Sequence, residues 1–164
     1  MKVLTAIILS AFITCSCIAA EPESRLQFKT HGFSISPLEG VSGNTPHQAF
    51  IMFLPATEAF SPNVNVQIQP YDGTLKEYAA LSQQQFKTIG FTVLSEKTTK
   101  TAVVWEYKGT LQERKLHWYA KAQRARGKVY LVTATATDSQ WKAVSAKLKA
   151  CVDSFKIEDV EEQK

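Results

Sequence analysis

The residue types that most often carry chemistry are scattered along this chain of 164 residues. His31, His47 and His117 stand on three separate segments, so no two imidazoles have the spacing that aims them from one helix face at a zinc ion. Cys15 and Cys17 fall inside an apolar opening stretch and Cys151 stands alone, which leaves no paired-cysteine motif in the body of the chain. Neither Gly-x-Gly-x-x-Gly, nor a phosphate loop, nor Gly-x-Ser-x-Gly occurs, so the signals of dinucleotide, nucleotide and esterase chemistry are missing. Of the four aspartates, Asp72 and Asp138 border expected helix starts, where short carboxylates serve turns and free amides; Asp153 and Asp159 are left over. Glu106 and Lys115 would form a surface pair across a hairpin. No catalytic residue, metal site or cofactor is assigned. Cys151 lies between Leu148 and Phe155 on an apolar stripe and reads as a small hydrophobe rather than a nucleophile.

Two groups of residues could instead bind. Lys97, Lys100, Arg124, Arg126 and Lys128 fall in or beside two turns of an antiparallel meander, and alternate turns of a meander share one end of the sheet. Five cations therefore gather with Glu96 as the nearest acid, while Arg114 and Lys115 lie at the opposite end. They are either solvated turn residues or a docking surface for an acidic partner or an anionic surface. The second group is one sheet face on which Glu106, His117, Tyr119, Lys121 and Tyr130 alternate with apolar positions. That face is either half covered by a helix or a binding surface. The formal net charge of +4 falls short of the concentrated basic stripe that nucleic acid demands.

These groups need elements to hold them. Residues 33–37 and 63–70 alternate apolar and polar, as half-buried strands do. Residues 49–54 form a continuous apolar run, which suits a strand covered on both faces. Thr74-x-x-Glu77 is a capping box and Gly90 a stop; the helix between them carries Leu75, Tyr78, Ala79, Phe86 and Ile89 on one side. A second helix starts near Thr137-Asp138-Ser139, with Trp141, Val144, Leu148, Cys151, Val152 and Phe155 at helical spacing. Between the two helices, 91–96, 102–107, 116–122 and 129–136 make a four-strand antiparallel meander. Counting outward from its turns sets Ala122 opposite Val129, Ala120 opposite Leu131, Leu116 opposite Trp105, and Trp118 opposite both Val103 and Thr133. One face is then Val103, Trp105, Leu116, Trp118, Ala120 and Leu131, buried under a helix. The class is α+β, an antiparallel sheet with a C-terminal meander flanked by two main helices.

The first segment speaks of location. Met1-Lys2 precedes an apolar stretch over 3–14 and small residues up to Ala20, and the first acid is Glu21. That is the layout of a secretory signal cleaved near Ala19 or Ala20, and the apolar stretch is too short for a permanent span. Acylation of Cys17 is the minority alternative, since Thr14-Cys15-Ser16 lacks the leucine that bacterial lipoprotein signals carry. Removal of 1–20 leaves Cys151 as the sole cysteine, so no internal disulfide forms. This favours a bacterial periplasm or secretion. The expected organisation is signal peptide 1–20, N-terminal segment 21–30, one domain over 31–158 and a charged tail 159–164.

The element order, with Phe33-Ser34-Ile35-Ser36-Pro37 and Glu39-Gly40 near the start, Tyr130-Leu131-Val132-Thr133 in the last strand and Asp153-Ser154-Phe155 closing the last helix, resembles the PsbP/DcrB-like superfamily. Val41 stands where that family commonly has Trp. The resemblance implies an αβα sandwich around an antiparallel sheet, in a family of small, mostly non-catalytic accessory proteins. Its members include extrinsic photosystem II subunits, a periplasmic protein linked to phage uptake and a Ran-binding import factor; no motif here points to the photosystem or to Ran. The expected function is that of an exported, non-enzymatic accessory protein acting through contacts with a protein partner. The alternatives are a small-ligand or anion binder of the periplasm, or a lipid-anchored lipoprotein of the same fold.

The intact mass of the exported protein should match cleavage between Ala19 and Glu21. A mass carrying a diacylglyceryl adduct on Cys17 would establish the lipoprotein instead.

Overall fold

A computed structural model describes residues 26–28, 32–36 and 46–158. The signal-like segment 1–20, its cleavage site and Cys17, His31, Pro37, the Glu39-Gly40-Val41 loop and the charged run 159–164 lie outside the described residues. The chain divides into two compact units, Met1–Val41 and Ser42–Lys164. In the first, β1 (Leu26–Phe28) and β2 (Phe33–Ile35) pair antiparallel, Leu26 with Ile35 and Phe28 with Phe33. Phe33 and Ile35 are exposed, against the half-buried strand expected there, because a two-stranded ribbon has no interior of its own.

The second unit holds β3 (His47–Phe53), β4 (Asn63–Pro70), α1 (Leu75–Thr88), β5 (Thr92–Thr98), β6 (Ala102–Leu111), β7 (Arg114–Ala125), β8 (Lys128–Thr137) and α2 (Asp138–Asp153). The strands form one antiparallel sheet in the order β3-β4-β8-β7-β6-β5, with a helix on each face. The α+β class and the αβα layering are those expected. Both helices start where the sequence placed them, each at a capping box: Thr74 with Glu77, and Thr137 with Gln140.

The meander's hairpins are tighter than expected. β6 and β7 turn on Gln112-Glu113 alone and β7 and β8 on Arg126-Gly127, with all four residues at φ between 48° and 68°. Positive φ at both central residues matches the right-handed twist of the flanking strands. The pairing consequently shifts by two residues in the last hairpin, to Ala122–Leu131, Ala120–Thr133 and Trp118–Thr135. It shifts by four in the middle one, where Trp118 faces Tyr107, Leu116 faces Gly109 and Trp105 faces Ala120. Even shifts leave every side chain on its expected face.

On the α1 face, Trp105 is 1% exposed and Trp118 6%. Phe86 stacks on Tyr107 at 4.3 Å between ring centroids, and Phe91 on Trp118 at 4.6 Å. Phe91 fits only because Gly109 lacks a side chain; a Cβ there would meet the ring at 2.2 Å. Ile89, expected on the buried stripe, is 56% exposed, because it caps the helix and the chain turns away at Gly90. On the other face, Trp141, Leu148 and Val152 of α2 settle on Val64, Val132, Ala134 and Ala136, with Cys151 half-buried beside them. The small alanines let the helix approach closely.

Residues 49–54 were expected to be covered on both faces, and the structure corrects this. Among the described residues β3 is an edge strand bonded only to β4, and Phe50, Met52 and Phe53 are exposed. The helices do not span six strands: α1 packs against β5 and β6, and α2 against β4, β7 and β8. Among the described residues, no helix is long and apolar enough to cross a membrane.

Candidate functional site

The mixed sheet face lies under α2, and most of its polar groups are consumed there. Glu106 on β6 and His117 on β7 meet at 3.0 Å between Oε1 and Nε2, and the other imidazole nitrogen lies 3.4 Å from Asp138 Oδ1. The Trp141 indole covers the imidazole at 4.0 Å between centroids and donates its N–H to Glu106 Oε1 at 3.2 Å. Lys149 donates to Glu106 Oε2 at 2.7 Å. Burial would push the Glu106 carboxyl up, but donors from Lys149, His117 and Trp141 together with the Lys149 charge hold it below the ordinary carboxylate value. Glutamate, histidine and aspartate in contact are the residue types of acid–base catalysis. Here His117 is 7% exposed beneath an indole, and the contacts tie α2 to the sheet. The pairing expected between Glu106 and Lys115 is not formed: Lys115 lies opposite Thr110, and the cation on Glu106 comes from α2.

Farther along the same face, the Tyr119 hydroxyl donates to Asp153 at 2.9 Å. Burial, followed by the hydrogen bond and charge of Asp153, pushes the phenol up to about 12. Lys121 donates to the carbonyls of Asp153 and Phe155, both at 3.1 Å, capping the carbonyl end of α2 with a cation. The Tyr130 ring lies 6.3 Å from that of Phe155.

The basic end is assembled as the sequence arranged it. Register places the turn after β5 and the turn after β7 at one end of the sheet, with Ala102 opposite Gln123 and Ala125 opposite Lys128. Lys97, Lys100, Arg124, Arg126 and Lys128 are all exposed. The arginines hold backbone: Arg124 donates to the Asp72 carbonyl at 3.2 Å and Arg126 to the Glu158 carbonyl at 3.0 Å. Among the described residues, none of the three lysines has an ion pair. Glu96, expected as their nearest acid, has its carboxylate engaged instead, accepting from Trp105 at 2.8 Å and Gln83 at 2.5 Å.

Where α2 ends at Asp153, short of β5, a groove of about 620 Å³ opens beside this end. It brings together Lys97 of one expected group with Tyr119 and Lys121 of the other, and adds Gln123 and Asp153, which sequence reasoning did not select. The Gln123 side-chain oxygen is buried there without a donor. No spacing in the sequence marks Gln123; only the register of β6 and β7 does. Under α1, a separate cleft of about 350 Å³ is lined by Tyr71, Tyr78, Phe86, Trp105, Tyr107 and Leu131. Among the described residues, no group of three or more His, Cys, Asp or Glu is arranged to hold a metal ion.

Comparison with known proteins adds the following. The family model described as PsbP matches residues 72–157, from the loop before α1 to the segment after α2. The crystal structure of PA94 from Pseudomonas aeruginosa, a protein of unknown function, has the same fold, with a TM-score of 0.65 at 15% identity over 84% of this chain and 98% of that one. The solution structure of cyanobacterial PsbP (CyanoP) from Synechocystis sp. PCC 6803 aligns at TM-score 0.49 and 13% identity, covering 76% of this chain and 99% of that one. The crystal structure of LpqN, involved in cell envelope biogenesis of Mycobacterium tuberculosis, aligns at 0.40 and 13%, covering 73% and 87%. No curated protein matches the sequence.

Because the folded pKa of Glu106 is depressed, its stabilising contribution is complete above the ordinary carboxylate value and is lost as pH falls through the lowered one. Glu106→Gln should therefore cost about 1–3 kcal/mol at neutral pH, and urea midpoints of wild type and variant should converge as the solution is made acidic. A gap that stays constant with pH would show that the Glu106 charge does not hold α2.

Proposed function

The chain belongs to the PsbP family, and we propose that it is an exported, non-catalytic accessory protein that docks an acidic protein partner through the basic end of its sheet. The observation that carries this reading is the division of labour among the cations. Two arginines hold backbone carbonyls, while Lys97, Lys100 and Lys128 stand exposed at the same end of the sheet, Lys97 on the wall of an open groove. Long-range attraction from such a cluster speeds encounter with an oppositely charged surface and fixes its orientation. The acids near the groove are already engaged, Asp153 by Tyr119 and Glu96 by Trp105 and Gln83, so they oppose an acidic partner less than free carboxylates would. A non-catalytic role is supported by the burial of the His117 imidazole beneath the Trp141 ring, between Glu106 and Asp138. Export is supported by the short apolar segment that opens the sequence.

Small-ligand binding has the aromatic cleft in its favour. Its polar groups largely satisfy one another, with Tyr78 donating to Gln69 at 2.8 Å and Ser82 to the Tyr78 carbonyl at 2.9 Å, so the cleft offers few groups to recognise a ligand and docking is the better reading.

Lys97→Glu, Lys100→Glu and Lys128→Glu combined should leave the fold intact, since all three side chains are exposed, and should weaken capture of the cross-linked periplasmic partner by about tenfold or more. Raising the salt to about 0.5 M should weaken the wild type similarly by shortening the Debye length. Capture that survives both changes, or binding confined to phosphatidylglycerol vesicles, would overturn the proposal.

A further inference from the structure

The register of three strands shapes the groove beside the basic end. Lys97, Val104 and Lys121 are partners in one row across β5, β6 and β7; Ala102 and Gln123 pair in the row toward the turns, and Ser95, Glu106 and Tyr119 in the row toward the α2 seam. Cross-strand partners share a face, so the middle strand supplies only Ala102 and Val104 as a floor while longer side chains rise on either side. The groove is therefore a trough along β6, bounded at Glu106, where Lys149 and Trp141 of α2 bind the carboxylate. Its walls stand on strands two spacings apart, about 10 Å, which admits one extended chain but not a helix, about 10–12 Å across with its side chains.

Most polar groups lining the trough are already matched. Tyr119 donates to Asp153, Lys121 to the carbonyls of Asp153 and Phe155, and Glu96 accepts from Trp105 and Gln83. Two groups are not: Lys97 has no ion pair among the described residues, and Gln123 Oε1 is buried without a donor. A buried acceptor without a donor destabilises the free protein, and a ligand that brings an N–H removes that penalty. We infer that the trough receives a short extended segment of the acidic partner, with a carboxylate on Lys97 and a backbone N–H donated to Gln123 Oε1. A peptide carries both groups on one chain, whereas an inorganic anion or a lipid phosphate brings charge without an amide. From Ala102 to Glu106 the trough runs about 14 Å, the length of about four extended residues. The inference rests on the docking reading and adds that the partner enters as an extended chain whose backbone Gln123 reads.

The probe is acetyl-tetraglutamate amide, titrated into the isotope-labelled exported protein and followed by NMR, with sodium sulfate at matched ionic strength as the anion that lacks amides. The peptide should shift the Gln123 side-chain amide and the backbone amides of Ala102 and Val104, and sulfate should leave them in place. Gln123→Met keeps the volume without the unmet acceptor, so it should hold or raise the urea midpoint and weaken the peptide about threefold or more, at low and high salt alike. Lys97→Gln should weaken the peptide chiefly at low salt. A lower urea midpoint in Gln123→Met would show that the amide already has its donor within the protein, and would overturn the inference, as would peptide shifts absent from the trough. Unchanged affinity in Gln123→Met beside a loss in the combined Lys97→Glu, Lys100→Glu and Lys128→Glu variant would overturn the trough and leave the docking surface standing. Affinity unchanged in all of these variants would overturn the docking reading itself.

Discussion

A six-stranded sheet has two faces to cover, and this chain brings two helices to the task. A helix with its side chains is about 10–12 Å across, whereas six strands at about 4.8 Å spacing spread over more than twice that width. Each helix can therefore cover only half of its face. α1 lies over the β5–β6 side and α2 over β4, β8 and β7. The core, the buried polar cluster and the open groove all follow from how each covered half is filled and where cover ends.

The two halves are filled by different chemistry. Under α1 the sheet offers Trp105, Tyr107, Trp118 and Ala120, and the helix answers with Tyr78, Ala79 and Phe86, so burial of aromatic surface holds that layer. Under α2 the sheet offers Glu106, His117, Tyr119 and Lys121 among its apolar residues. Burying such groups is tolerable only when each finds a partner. Lys149, Trp141, Asp138 and Asp153 supply those partners from the helix, which is why residues that look like a binding surface in the sequence are part of the interior seam. The seam reaches Glu106 on β6 and ends short of β5. There the same mixed face emerges as a groove flanked by lysines.

Local signals in the sequence were read correctly where they depend on a few neighbouring residues. The capping box at Thr74, the start of α2 near Thr137 and the inward face of the meander each follow from spacing alone. The register of the middle hairpin was not legible because Gln112-Glu113 contains none of the Gly, Asn or Asp that normally betray a two-residue hairpin turn. Periodicity also could not place residues 49–54: an apolar run looks the same in a central strand as in an edge strand, and only strand order separates them. The partner of Glu106 was hidden because Lys149 is 43 residues away. The basic end was found because it needs only turn positions and the reversal of successive strands. The groove beside it could not be found, since it exists only where α2 stops.

Docking at the basic end is the claim on which the functional account stands. Hydrogen–deuterium exchange of the exported protein, alone and saturated with its captured partner, tests it most directly. The account predicts that binding slows exchange in the turns at 99–101 and 126–127 and leaves α1 unchanged. Protection confined to α1 above the aromatic cleft, or to the first turns of α2 above Glu106 and His117, would contradict it.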